Sequence, residues 1–363
     1  MELVVVRMMI ITMALIIIMP LYYSVVAKVD IGLVRQLAAK NNVSCILVFG
    51  DSSVDPGNNN VLGTTMKSNF PPYGKNFFNA RPTGRFSNGR LATDFIADEA
   101  MGFRKIVPPF LDPNLKLEDL PYGVSFASAA TGYDDLTANI SNVLPVSKQL
   151  EYFEHYKIHM RKLLGEKRAE FIIRNALYVI SMGTNDFLQN YFLEDTRPKQ
   201  YSLQKFEEFL LSQMTKDIEM MHRLGAQRLV VVGVLPLGCI PLMMTLKNTN
   251  TCDPTLNNVA HSFNAKLSLQ LAQLKAQLGM KTAYVNVFGM IQNAVLDPKK
   301  YGFVETTKGC CGTGLVEYGD SCRGLTTCSD PDQYIFWDAV HPTQKMYKII
   351  ADEAIESIAN EIV

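Results

Sequence analysis

No charge of either sign is in excess in this chain: its 363 residues carry 35 Lys+Arg against 35 Asp+Glu, a formal net charge of zero. The basic footprint of a nucleic-acid binder is therefore missing, and DNA or RNA is excluded as a partner. Histidine is scarce, with five in all. Two of them, His155 and His159, stand four apart in "HYKIH". No glutamate accompanies them as the zinc-protease helix requires, so the segment reads as a solvated helix face. His222 and His261 fall within predicted helices with no evident partner. Internal repeats, low-complexity tracts and shifts of composition are absent too, so nothing marks a linker between domains. After the N-terminal leader, no apolar run is long enough to span a bilayer.

The leader itself is informative. Residues 8–19 form an apolar run behind a lone Arg7, closed by Pro20, and Val25-Val26-Ala27 offers small residues for cleavage. This pattern predicts a secretory signal peptide over 1–27 and a single mature domain over 28–363, with no stable membrane anchor after cleavage. A signal anchor is the rival reading, because apolar character continues to Val26. Cysteine usage agrees with export. Cys310, Cys311, Cys322 and Cys328 crowd one loop and Cys239 and Cys252 bracket a short excursion, which suits disulfides whose connectivity stays open. Zinc is the alternative for the cluster, but the adjacent pair and the lack of a nearby histidine do not fit metal-ligand spacing. Cys45, inside an apolar run, is the odd thiol. Asn42 and Asn139 head Asn-x-Ser triplets and become glycosylation acceptors in an exported chain.

Short apolar runs at 45–50, 123–127, 176–182, 228–233 and 282–287 read as strands buried on both faces. Helical patterns at 89–101, 145–164, 203–224, 254–278 and 342–362 lie between and after them. The alternation predicts one doubly wound α/β domain with a parallel sheet. Two long loops, 59–88 and 297–332, interrupt it, and loops of that length are usually functional or stapled. Ligands in such sheets lie beyond the carboxyl ends of the strands.

Three strands end in polar motifs there: Gly50-Asp51-Ser52-Ser53, then "FASAATG" from Phe126 to Gly132, then Gly183-Thr184-Asn185-Asp186. A fourth motif, Trp337-Asp338-Ala339-Val340-His341-Pro342, precedes the last helix. Acyl transfer needs a hydroxyl nucleophile, a base to take its proton, an acceptor to orient the base, and donors for the oxyanion. Ser52 fits the first role, His341 the second and Asp338 the third. Backbone N–H groups of Ser52 and Gly132, with the Asn185 amide, fit the last, since a glycine lets a substrate oxygen approach closely. The spacing of three predicts Asp338 and His341 on one face of a helical turn. Taken singly, each motif has a plainer reading as a turn or helix cap; their coincidence carries the argument. The nucleophile elbow Gly-x-Ser-x-Gly occurs nowhere, its nearest approach at Gly123 lacking the second glycine.

In this order the four motifs resemble the plant branch of the GDSL esterase/lipase family, the SGNH hydrolases. "VFGDSSVDPGNNN" is similar to the first block with Ser52 at the nucleophile position, "GVSFASAATG" to the second with Gly132 as oxyanion glycine, "SMGTNDF" to the block carrying Asn185, and "DAVHP" to the block carrying Asp338 and His341. "GRFSNGR", "PLGC" and "CCGTG" extend the likeness from about Cys45 to the C-terminus. Ser53 replaces the leucine of the family name, and Ala129-Ala130 stands where glycines are frequent. The resemblance implies a three-layer α/β/α, flavodoxin-like SGNH hydrolase fold and a secreted, apoplastic or cell-wall esterase. It implies lipid acyl esters or acetylated polymers as substrates; the chemistry needs no metal or organic cofactor, and nothing in the sequence demands more than a monomer. Transfer of the acyl group to another alcohol, and a catalytically silent glycoprotein, are the alternatives; intact Ser52, Asn185, Asp338 and His341 argue against the latter. Activity is expected to rise with pH as His341 becomes neutral.

Overall fold

Strand β1 (Ile46–Gly50) is apolar and buried along its whole length, because it is an interior strand of a sheet covered on both sides. The computed structural model describes residues 30–363, so the predicted signal peptide lies outside the described residues. β1 pairs in parallel with β2 (Gly123–Ser125) on one side and β3 (Leu177–Ser181) on the other. β4 (Arg228–Val232) and β5 (Lys281–Val285) complete the sheet in the order β2-β1-β3-β4-β5, all parallel. This is the flavodoxin-type order, in which the chain reverses its direction of winding between β1 and β3.

Strand alternation divides the core into two layers. Leu47, Phe49, Tyr178, Ile180 and Val231 face the helices Val146–Leu164, Leu203–Leu224 and Pro254–Leu278. Val48, Val179, Val230 and Val285 face the helices Ile31–Lys40, Val287–Leu296 and Gln344–Glu361 together with the Ala92–Phe95 segment. Among the described residues no helix is long and apolar enough to cross a membrane.

The helices at 203–224 and 254–278 match their sequence expectations, and others differ for identifiable reasons. The helix expected over 89–101 begins at Ala92 and widens into a π turn over Ile96–Ala100. Gly165, at φ 78°, ends one helix at Leu164, and Glu166–Asn175 forms a second that the sequence pattern merged with loop. The last helix starts at Gln344, with Thr343 accepting the Met346 N–H as its N-cap.

The long segment 297–332 is not structureless. Its Glu305–Gly309 strand, β6, pairs with β7 (Tyr334–Phe336), the strand that runs directly into the Asp338–His341 motif. Disulfides Cys310–Cys328 and Cys311–Cys322 staple it, and Cys239–Cys252 closes the excursion after β4. Closing loops of this size stabilises by about 3 kcal/mol each in the chain-entropy account. Cys310, Cys311 and Cys322 pack with Phe70, Tyr73, Phe86, Ala129 and Trp337 in a separate small core, which joins the two long loops over the edge of the sheet. Cys45 is the free, buried thiol.

Candidate active site

Ser52 leaves the carboxyl end of β1 at the switch point between β1 and β3, where this topology opens a crevice. The turn that presents it starts at Gly50, whose φ of 136° and close fit against the Ser181 carbonyl leave no room for a Cβ. Gln149 holds Gly50 from both sides, accepting its N–H at 2.9 Å and donating to its carbonyl at 3.0 Å. Asp51 then accepts the N–H and hydroxyl of Ser53 at 2.9 and 2.7 Å, closing an Asx turn that aims Ser52 outward. Burial pushes the Asp51 carboxyl up to about 6, against these hydrogen bonds and the nearby His341.

His341 Nε2 lies 2.9 Å from Ser52 Oγ, and His341 Nδ1 lies 2.9 and 2.8 Å from Asp338 Oδ1 and Oδ2. The expected helical turn between Asp338 and His341 is absent. Instead Asp338 Oδ1 accepts the N–H groups of Val340 and His341 at 2.9 and 2.7 Å, so those donors serve the carboxylate and cannot open a helix. Trp337 N–H closes the bend on the His341 carbonyl at 2.7 Å. The Phe86 ring packs 4.8 Å from the imidazole.

Asp338 is fully buried and has one more partner, which sequence reasoning did not identify. The Tyr73 hydroxyl donates to Asp338 Oδ2 at 2.6 Å and accepts the Gly319 N–H at 2.7 Å. Burial first, and the Asp338 charge second, hold its phenol well above the ordinary tyrosine range, so it stays a donor. No local signal marks Tyr73; it sits in a Pro/Gly-rich loop far from Asp338 in sequence.

The polar residues after Ser52 fix the second motif. Asp55 accepts the Ala129 N–H at 3.0 Å, Asn58 donates to the Ser125 and Ala127 carbonyls, and Asn59 donates to the Ala129 carbonyl. Gly132, the expected oxyanion glycine, is wedged instead against the Asp186 carboxylate, where an added Cβ would lie 2.2 Å from Oδ1. Asp186, pushed by burial up to about 7, accepts the N–H groups of Tyr133 and Asp134 and the Thr137 hydroxyl. Of this segment Ala129 and Ala130 line the cavity with Ser52, Asn185 and His341; the Ala129 N–H is already taken by Asp55, and Ala130 stands in the left-handed region at φ 70°. Among the described residues no acceptor engages the N–H of Ser52 or of Ala130. The Asn185 amide donates to the Thr131 carbonyl at 3.0 Å and approaches Asp51 Oδ2 at 3.5 Å.

Asn42 and Asn139 are both exposed, each at the end of a short helix. Among the described residues no group of three or more His, Cys, Asp or Glu is placed to hold a metal ion.

A profile of the family described as GDSL-like lipase/acylhydrolase matches residues 46–354. One GDSL esterase/lipase of Arabidopsis thaliana is 56% identical over 336 residues, covering 93% of this chain and 94% of that protein. A second from the same plant is 44% identical over 317 residues, covering 85% and 84%.

Proposed function

Because the chain belongs to the GDSL-like lipase/acylhydrolase family, and its fold and relatives are those of carboxylic ester hydrolases, we propose that it is a serine esterase working through Ser52, His341 and Asp338. Ser52 Oγ attacks the ester carbonyl carbon while His341 Nε2 takes its proton. The same proton passes to the leaving alcohol oxygen as the carbon–oxygen bond breaks, leaving an acyl-Ser52 ester. Water, deprotonated by His341, hydrolyses that ester and releases the acid. Asp338 orients the imidazole and stabilises its charged form.

Oxyanion stabilisation falls to the Ser52 N–H, the Asn185 amide and the Ala130 N–H, in place of Gly132. Support for Ala130 comes from its place on the cavity wall and its unengaged N–H. The observation that carries the reading is the continuous contact from Ser52 Oγ through both imidazole nitrogens to Asp338, at 2.9 and 2.8 Å.

Secretion belongs to the same proposal. Residues 1–27 read as a cleaved leader, three disulfides suit an oxidising compartment, and Asn42 and Asn139 are open to glycosylation. Release of p-nitrophenol from a p-nitrophenyl ester is the test. The purified protein turns over, and Ser52→Ala loses at least about a thousandfold in kcat. Equal activity in the variant removes Ser52 as nucleophile.

A further inference from the structure

The ladder between β1 and β2 stops at Val48 and Ser125, so Gly50, two residues farther along β1, has no strand residue opposite it on that side. On the other side β1 stays paired as far as Gly50 and Ser181. A buried strand end left open in this way would orphan a backbone N–H. The Gln149 side chain, wholly buried on the helix Val146–Leu164, stands in for the missing strand: Oε1 accepts the Gly50 N–H at 2.9 Å and Nε2 donates to the Gly50 carbonyl at 3.0 Å. Nε2 also reaches the Leu144 carbonyl at 3.4 Å. One N–H and two carbonyls facing the amide allow it a single orientation.

The same backbone groups reach the other half of the site. The Gly50 carbonyl also accepts the Ser128 N–H at 2.9 Å. Ser128 Oγ accepts the Leu144 N–H at 3.1 Å, and the Leu144 carbonyl accepts the Thr131 hydroxyl at 2.9 Å. Thr131 in turn offers its carbonyl to the Asn185 amide at 3.0 Å. Ser52 stands two residues after Gly50, and Ala130 two residues after Ser128. The Ser52 N–H, the Ala130 N–H and the Asn185 amide are thus each tied through short links to one buried side chain. Gln149 itself lines neither of the two cavities that border Ser52.

We infer that Gln149 is a positioning residue for catalysis: its amide sets the spacing between the turn that carries Ser52 and the segment that carries Ala130 and Thr131, and so holds the oxyanion donors in register. The inference rests on Ser52 being the nucleophile. The other buried residues of this helix, Val146, Leu150, Phe153, Tyr156 and Met160, are apolar or aromatic. An apolar chain would pack at 149 as well, but only an amide donates and accepts at once. Oxyanion donors act by being fixed before charge develops, and a displacement of about 1 Å can cost about a hundredfold in rate.

The test uses two variants of the full mature protein. Gln149→Met keeps the length of the side chain without its amide, and Gln149→Asn keeps the amide but withdraws it by one methylene. Both are assayed beside Ser52→Ala on whichever of p-nitrophenyl acetate, butyrate and octanoate the wild type turns over fastest, with gel filtration and a thermal melt to establish folding. In each folded Gln149 variant kcat should fall about tenfold to a hundredfold while KM stays within about twofold, because acylation and deacylation both pass through an oxyanion and the cavity walls are unchanged. A trifluoromethyl ketone gives a second readout: Ser52 Oγ adds to its carbonyl carbon as the hydroxyl proton passes to His341, leaving an oxyanion and no leaving group. Its Ki should weaken by about the factor lost from kcat/KM. A lower melting temperature with kcat and Ki unchanged overturns the positioning role and leaves the esterase reading standing. Failure of both variants to fold overturns it as well, by making Gln149 a determinant of folding alone. Wild type inert on all three esters, or Ser52→Ala as active as wild type, overturns the Ser52 reading and this inference with it.

Discussion

Replacing Tyr73 by phenylalanine removes one oxygen and isolates a single link in the site. In the native protein that oxygen donates to Asp338 Oδ2 at 2.6 Å and accepts the Gly319 N–H at 2.7 Å, fully enclosed by Phe70, Phe86 and Trp337. Phenylalanine keeps the ring packing and strands the buried Gly319 N–H, an effect that costs about 1–3 kcal/mol of stability. Asp338 keeps its donors from Val340 N–H, His341 N–H and His341 Nδ1, but Oδ2 loses the contact that stops the carboxylate rotating off the imidazole. Loss of half a charge-assisted hydrogen bond in the transition state, about 1.4 kcal/mol, is tenfold in rate. We therefore expect Tyr73→Phe to lower kcat about tenfold and to leave KM within about twofold, since Tyr73 lines neither cavity. Steady-state kinetics on a p-nitrophenyl ester, beside a thermal melt, reads both quantities. A variant that melts earlier with kcat unchanged would refute the positioning role and leave Tyr73 a purely structural residue.

Two further outcomes follow from titratable groups, the half-buried Asp217 and the fully buried Cys45. Burial first, then the Asp135 and Asp186 carboxylates, push Asp217 from 3.8 up to about 8. The unfolded chain releases that proton near the ordinary value, so the folded state loses stability as pH rises between about 4 and 8. Asp217→Asn cannot ionise, and its melting temperature should pull ahead of wild type across that window; a gap that does not change with pH contradicts this. The Cys45 thiol is pushed by burial up to about 12, so it should resist thiol reagents in the native protein and titrate as one thiol per chain after non-reducing denaturation. Detection of more than one would contradict the three disulfides.

The parts of the fold written in continuous apolar runs were legible in the sequence. β1, β3 and β4 are buried on both faces, and such strands have nowhere to place a polar residue. β6, by contrast, reads Glu-Thr-Thr-Lys-Gly, which no periodicity separates from loop; disulfides and pairing with β7 hold it. Ser52 and Asn185 were visible because each follows a strand written as an apolar run, and Asp338 and His341 because their motif immediately precedes the last helix. Tyr73 was not, because its partner lies 265 residues away and only tertiary packing brings them together.

Glycine marked one close approach without naming its partner. The rule that a close approach needs glycine pointed to Gly132, and Gly132 does meet a close neighbour, but that neighbour is Asp186. Ala130 faces the cavity in a left-handed conformation that a non-glycine residue seldom adopts, so its sequence identity conceals its geometry. The Asp338–His341 spacing was likewise read as helical periodicity, whereas the aspartate side chain captures the backbone N–H groups such a turn would need.

The central claim is that His341 and Asp338 activate one particular hydroxyl among the serines of this chain. Treating the folded protein with a fluorophosphonate, whose phosphorus an activated serine oxygen attacks as the phosphorus–fluorine bond breaks, and mapping the product by peptide mass spectrometry tests it directly. The account predicts a single adduct, on Ser52. An adduct on another side chain, or a folded and unmodified protein, would contradict it.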